Sequence, residues 1–238
     1  MKRILYSAIF LFLLLPAIAV SGFAGEVLDA IVATVNRQPL LRSDWDEAVC
    51  FEAFMQQKPL NQVTDADRAQ ALQRLIDRQL LKAQMGNAES MQPTSDELKQ
   101  DVAKLRAQVP NGNDDQSWRQ LLASYGLDEE TVKQHLRTEF QVMNFVEVRL
   151  RPHIKVQDDE VDAYYRNQVL PDLQKNGGKV VPLDELEPKI RELLTQQRMD
   201  EMLDAWLHNL RQQAEIHSSI SIPGVNAPAD SARASGTN

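Results

Sequence analysis

The chain has 238 residues, with 26 Lys plus Arg against 34 Asp plus Glu and a formal net charge of −8. That acidic balance argues against a nucleic-acid surface, because phosphate binding rests largely on Lys and Arg. The one cysteine, Cys50, excludes an internal disulfide, so about one domain's worth of residues must be held by an apolar core.

In chain order, the first segment is not expected to belong to the fold. Lys2 and Arg3 precede an apolar run from Ile4 to Val20, and Gly22 and Ala24 occupy the −3 and −1 positions of a cleavage after Ala24. This is the pattern of a secretory signal peptide over residues 1–24. The apolar run is 17 residues long and is broken by Pro16. It is therefore barely long enough to span a bilayer, and no stable membrane insertion is expected after cleavage. No cysteine lies near the cleavage region to carry a lipid. Loss of Lys2 and Arg3 takes the net charge to about −10, which suits a soluble exported protein.

Val27 to Val35 is rich in β-branched residues and short enough for a strand. Asn36 begins a polar break ending at Pro39, as a tight turn needs, and Leu40-Leu41 reads as a short return strand. Ser43 is placed to cap a helix reaching about Gln57, with Asp44, Asp46 and Glu47 near its positive end. On that helix Trp45, Ala48 and Val49 share one face, while Phe51, Phe54 and Met55 spread onto its flank and back. A helix apolar nearly all round is either deeply buried or covers a partner. Cys50 lies mid-helix with no local cationic activator, and is expected to be an inert thiol.

Thr64 with Asp67 opens a second helix whose spacing at Leu72, Leu75, Ile76, Gln79 and Leu80 is near 3.6, and Gly86-Asn87 stops it. Thr94 with Glu97 is a capping box for a third helix carrying Leu98, Val102 and Leu105. Residues 110–113 form a loop. A short fourth helix holds Trp118, Leu121, Leu122 and Tyr125, and Gly126 closes it. Asp128 caps the longest central helix, the expected spine of the core. Its stripe is Val132, Leu136, Phe140, Met143 and Leu150, widened by Val142, Phe145, Val146 and Val148 up to Pro152.

The run VATVNRQPLLRSDWDEAV resembles the start of the N-terminal domain of SurA-type periplasmic chaperones, and LQRLIDRQLLKAQM and YGLDEETVKQHLRTEF follow in the family's order. Order and spacing across about half the chain carry the resemblance. It implies a mainly α fold of several helices, with a small β-sheet made from the N-terminal hairpin and the C-terminal strand. In this family a parvulin-type prolyl isomerase domain usually follows a helix like the one at Asp158, which carries Val161, Tyr164 and Tyr165. Here 24 residues separate Asp158 from Leu183. A compact domain needs at least about 50, so the isomerase domain is expected to be missing. Pro171 and Gly177-Gly178 are expected to break regular structure within the segment.

A long helix is expected from about Glu187 to Gln213. Ile190, Leu193 and Leu194 lie on one face and Met199, Leu203, Trp206 and Leu210 on another, so the stripe is wide or the helix bends near Gln196-Gln197. Ile216, Ser218, Ile220 and Ile222 then alternate with polar residues, the period of a half-buried strand. By resemblance this strand pairs with the N-terminal hairpin. The expected organisation is a signal peptide at 1–24, the first part of the chaperone domain at 25–155, a short helix and linker at 156–182, the completing helix and strand at 183–222, and a disordered tail at 223–238.

Candidate chemistry is sparse. His135 and Glu139 share a helix face, but two groups without a third ligand make a solvated pair rather than a metal site. There is no Gly-rich phosphate loop and no Gly-x-Ser-x-Gly elbow. No metal, cofactor or catalytic residue is expected, and no signal for oligomeric state is present. The resemblance implies a non-enzymatic periplasmic chaperone that binds unfolded or nascent envelope proteins, outer-membrane or secreted, without ATP. Phe51, Phe54 and Met55 are the candidate client-binding residues, with packing against a neighbouring helix as the alternative for all three. A prolyl isomerase and a dedicated adaptor subunit of an envelope complex are the other two readings.

Overall fold

The computed structural model describes residues 29–86, 92–175, 177 and 179–219. The leader at 1–24, the strand start at Val27 and Leu28, Ile220 and Ile222, and the tail at 223–238 lie outside the described residues. The elements are strands β1 (Ile31–Val35) and β2 (Gln38–Leu41), helices α1 (Arg42–Met55), α2 (Asp65–Met85), α3 (Ser95–Gln108), α4 (Asp115–Ser124), α5 (Glu129–Leu150), α6 (Asp158–Tyr164), α7 (Leu170–Lys175) and α8 (Leu183–Gln213), and strand β3 (Ile216–Ser218).

The sheet is antiparallel, in the order β2-β1-β3. Asn36 and Arg37 form the two-residue hairpin turn, both with positive φ, at 49° and 66°. A turn of that kind matches the twist of the flanking strands. Thr34 faces Pro39 across the hairpin, and Pro39 is tolerable because β2 is an outer strand. The other edge of β1 takes β3, with Val35 opposite Ile216 and Ala33 opposite Ser218. Asn36 fastens the same chain end. Its N–H donates to the Glu215 carbonyl at 2.9 Å, and its side-chain oxygen accepts the Glu215 N–H at 3.0 Å.

Four helix starts follow their local signals. Thr64, Thr94, Asp114 and Asp128 each accept a backbone N–H three residues on. Asp67 and Glu97 return the bond to the cap N–H at 2.7 and 2.8 Å. Gly126, at φ 70°, ends α4, and the Leu127 N–H reaches back to the Leu122 carbonyl at 3.0 Å.

Two helix starts and one expected break differ from the sequence reading. Ser43 is not the cap of α1, because the helix begins at Arg42 with Leu41 in the cap position, two residues earlier. Ser43 instead donates its N–H to Asp29 Oδ1 at 3.2 Å and its hydroxyl to Asp29 Oδ2. The carboxylate for this helix start therefore comes from before β1, and these bonds hold the Asp29 carboxyl below its ordinary range. Pro171 does not break the helical passage. It falls in α7, directly after a π turn over Tyr165–Val169. A π turn already departs from the ordinary bond ladder, and Pro171 supplies no N–H to that ladder. Finally, α8 starts at Leu183 and carries Pro188 in its interior.

Between α6 and α8 the described residues form this one helical passage and a short connection. A compact domain of about 50 residues or more does not fit there.

The interior divides into three apolar clusters. One lies under the sheet and joins Val32, Val35 and Leu40 to Trp45 and Val49 of α1 and to Leu72, Ile76 and Leu80 of α2. A second joins Phe54 to Val102, Leu105, Trp118, Leu122 and Val132. The third joins Leu81, Val142, Phe145, Val146 and Leu150 to Met199 and Leu207 of α8. The drift of apolar phase along α8 reflects a change of neighbour. Arg191 binds the Val156 carbonyl at 2.7 Å and Asp158 at 2.7 Å, beside α6. Further along, Arg211 makes a two-pronged pair with Asp77 of α2, at 2.7 and 2.6 Å.

Candidate functional site

The three apolar residues singled out on α1 have three different environments. Phe54 is 2% exposed and is clasped edge-on by Trp118 and Tyr125, with ring centroids 5.8 and 5.7 Å away. Phe51 is half-buried and stacks on the His135 ring, centroids 4.2 Å apart and planes at 9°. Met55 is 46% exposed. The near-continuous apolar surface of α1 has a simple cause: the helix lies between two cores. Trp45 and Val49 point into the cluster under the sheet, and Ala53 and Phe54 into the cluster with α3, α4 and α5. Cys50 sits at the edge of the second cluster, where burial first and then the Asp46 charge push its thiol up, so it remains protonated.

A polar seam runs behind this helix. His135 Nε2 lies 2.9 Å from Glu47 Oε1, and Glu139 pairs with Arg78 at 3.6 Å, so the two α5 residues turn to different helices. Among the described residues no group of three His, Cys, Asp or Glu side chains could hold a metal ion. Burial holds the His135 imidazole below its usual range, against the opposing pull of Glu47. Glu52 bonds Arg74 at 2.6 Å, and its carboxyl is raised by burial in spite of that partner. The seam opens into a cleft of about 260 Å³ between β2, α1, α2 and α5. Its walls include Leu40, Asp44, Leu75, Arg78, Lys82 and His135.

Three further exposed apolar side chains are not among the client-binding candidates read from the sequence. Met143 and Val148 of α5 and Leu193 of α8 all face solvent, Val148 at 58% exposure. Arg151, just past α5, bonds Glu192 through both terminal nitrogens, so the end of α5 lies beside the first half of α8. The sequence did carry a signal for the two on α5: its apolar stripe is too wide for one neighbour to cover. Only Val142, Phe145, Val146 and Leu150 of its second half enter the core, and Met143, expected on the main stripe, does not. Among the described residues no helix is long and apolar enough to cross a membrane.

Residues 1–146 match the profile described as the SurA-like N-terminal domain. Two curated relatives, each named foldase protein PrsA and from two strains of Clostridium botulinum, are 24% identical over 148 residues. Those alignments cover 56% of this chain and 44% of each relative, so the chain spans less than half the length of the curated relatives it matches. A solved structure from a study of PEB4 and Cj1289, two SurA-like chaperones of Campylobacter jejuni, is similar at TM-score 0.47 and 12% identity. That likeness covers 81% of this chain and 100% of the solved one. The profile takes in more than half of the chain, and the chain belongs to the SurA-like N-terminal domain family.

Proposed function

We infer that this protein is an exported chaperone that holds unfolded outer-membrane or secreted proteins soluble, without ATP and without catalysis. Family membership over residues 1–146 carries the reading. The curated Clostridium relatives are named foldases. Unfolded β-rich clients expose apolar segments and unpaired strands that aggregate. Passive, reversible binding of such segments lowers the free concentration of the aggregating species by mass action.

Under this reading the periplasm is the working compartment and residues 1–24 are the leader that sends the chain there. Residues 25–155 and 183–222 make the chaperone domain around the 156–182 connection, and 223–238 is a tail. Met55 and the accessible edge of Phe51 are the client contacts on α1, with Phe54 as the buried anchor beneath them. Met143, Val148 and Leu193 are further exposed apolar side chains of the kind promiscuous binding uses.

The test is aggregation of an unfolded outer-membrane barrel protein, followed by light scattering. Wild-type protein at a few-fold molar excess is expected to suppress it. Met55→Ser with Phe51→Ser is expected to weaken suppression while the melting temperature stays within a few degrees. Failure of the wild type sinks the chaperone reading. Full activity in the folded double variant, with loss in Val148→Ser and Leu193→Ser, moves the contact surface to α5 and α8.

A further inference from the structure

The cleft between β2, α1, α2 and α5 has an uneven charge balance. Arg78 and Lys82 stand one turn apart on α2, on the same helix face. Asp44 and Glu47 of α1 line the opposite side. The two acids are engaged: Glu47 with His135 at 2.9 Å, and Asp44 with the Leu41 N–H at 3.3 Å. The two cations are held less closely, although the Asp44 charge acts on Lys82 across the cleft. Arg78 has an ion pair with Glu139 at 3.6 Å but no hydrogen bond to it. Lys82 has no hydrogen bond or ion pair among the described residues. Burial, and then the Arg78 charge, push the Lys82 ammonium below its ordinary range, so a bound anion would favour its charged form.

Beside the cations, Pro39, Leu40 and Leu75 give an apolar wall, and Gln79 adds an amide. A space of about 260 Å³ with two under-used cations next to an apolar wall fits a carboxylate carried on an apolar residue. β2 is an outer strand of the sheet, which leaves an extended chain end an open approach along Pro39 and Leu40.

We propose that this cleft binds the C-terminal carboxylate of an extended polypeptide, with Arg78 and Lys82 on the carboxylate and Leu40 and Leu75 against an apolar last side chain. The choice of a chain end over a free acid rests on the client-binding reading. The carboxylate site itself rests on the cleft alone.

The experiment is calorimetric titration of the protein with three probes: a soluble octapeptide ending in leucine with a free carboxylate, the same peptide as its C-terminal amide, and N-acetyl-leucine. The free acid is expected to bind about tenfold or more tightly than the amide, the usual worth of a charge-assisted hydrogen bond. Lys82→Met is expected to remove most of that preference, and Lys82→Arg to keep it. Lys82 is solvent-accessible, so both variants leave the core intact. Equal binding of acid and amide, or an unchanged preference in Lys82→Met, overturns the proposal. N-acetyl-leucine binding as tightly as the peptide assigns the cleft to small acids and also overturns it. The readout is direct binding, so failure of the wild type in the aggregation assay removes the client reading without deciding this result.

Discussion

The Asp77–Arg211 pair ties α2 to the end of α8 through two short hydrogen bonds, and its removal has a calculable cost. Both guanidinium contacts are short, at 2.7 and 2.6 Å, and the side chains are 15% and 22% exposed. Breaking a fully buried pair by removing one partner costs about 3–5 kcal/mol. An exposed pair is worth about 0–1 kcal/mol. Residual exposure of this size puts Asp77→Asn between those limits, at about 2 kcal/mol. For a domain of this length that corresponds to a fall in Tm of about 4–8 °C. The assay is urea unfolding followed by tryptophan fluorescence. Trp45, Trp118 and Trp206 belong to or border the three separate clusters, so one transition reports on all of them. The cycle of Asp77→Asn, Arg211→Met and the double variant should give a coupling above about 1 kcal/mol. Additivity within about 0.5 kcal/mol, the behaviour of independent sites, would refute the claim that this pair fastens the helix.

Phe54→Ala should cost about 3–5 kcal/mol, because Phe54 fills the space between Trp118 and Tyr125; a loss below 1 kcal/mol in chemical denaturation would contradict that packing. Removal of residues 214–238 deletes β3 and the Glu215 contacts to Asn36, whereas removal of 224–238 leaves them, so only the first truncation should lower the melting temperature markedly. Stability should also fall as pH drops, in two stages. Burial holds His135 below its usual range, so the unfolded chain takes up that proton first as pH falls below about 6.5, and stability is lost through that window. Glu47, Arg78 and Glu139 surround the ring, and His135→Gln should flatten this first stage. The cap carboxylates Glu97, Asp114 and Asp128 are held low by backbone N–H bonds, so their contribution is present above about pH 4 and is lost below it. Urea midpoints at pH 7, 5.5 and 3 check both stages, and an unchanged midpoint between 5.5 and 3 would contradict the second.

Several elements of this protein are dictated by short stretches of sequence. Thr64, Thr94, Asp114 and Asp128 start their helices with bonds spanning three residues, so the signal and its effect share one turn. The hairpin turn at Asn36 is local in the same way, and the alternation around Ile216 marks a strand whatever it pairs with. Other features depend on residues that come together only in the fold. Ser43 looks like a cap, but its bonds go to Asp29, 14 residues earlier, which β1 and β2 bring back to it. The cleft joins Asp44, Arg78 and His135 from three helices, so no single stretch of sequence contains it.

The apolar residues of α1 show the division most directly. Their helical spacing put Phe51, Phe54 and Met55 off the inner face, and nothing within the helix ranked them. Packing ranked them, because α3, α4 and α5 close over Phe54, His135 covers one face of Phe51, and Met55 is left largely open. Periodicity measures direction around one helix axis. Burial depends on which other elements lie in that direction, and that is set by contacts between residues far apart in the chain.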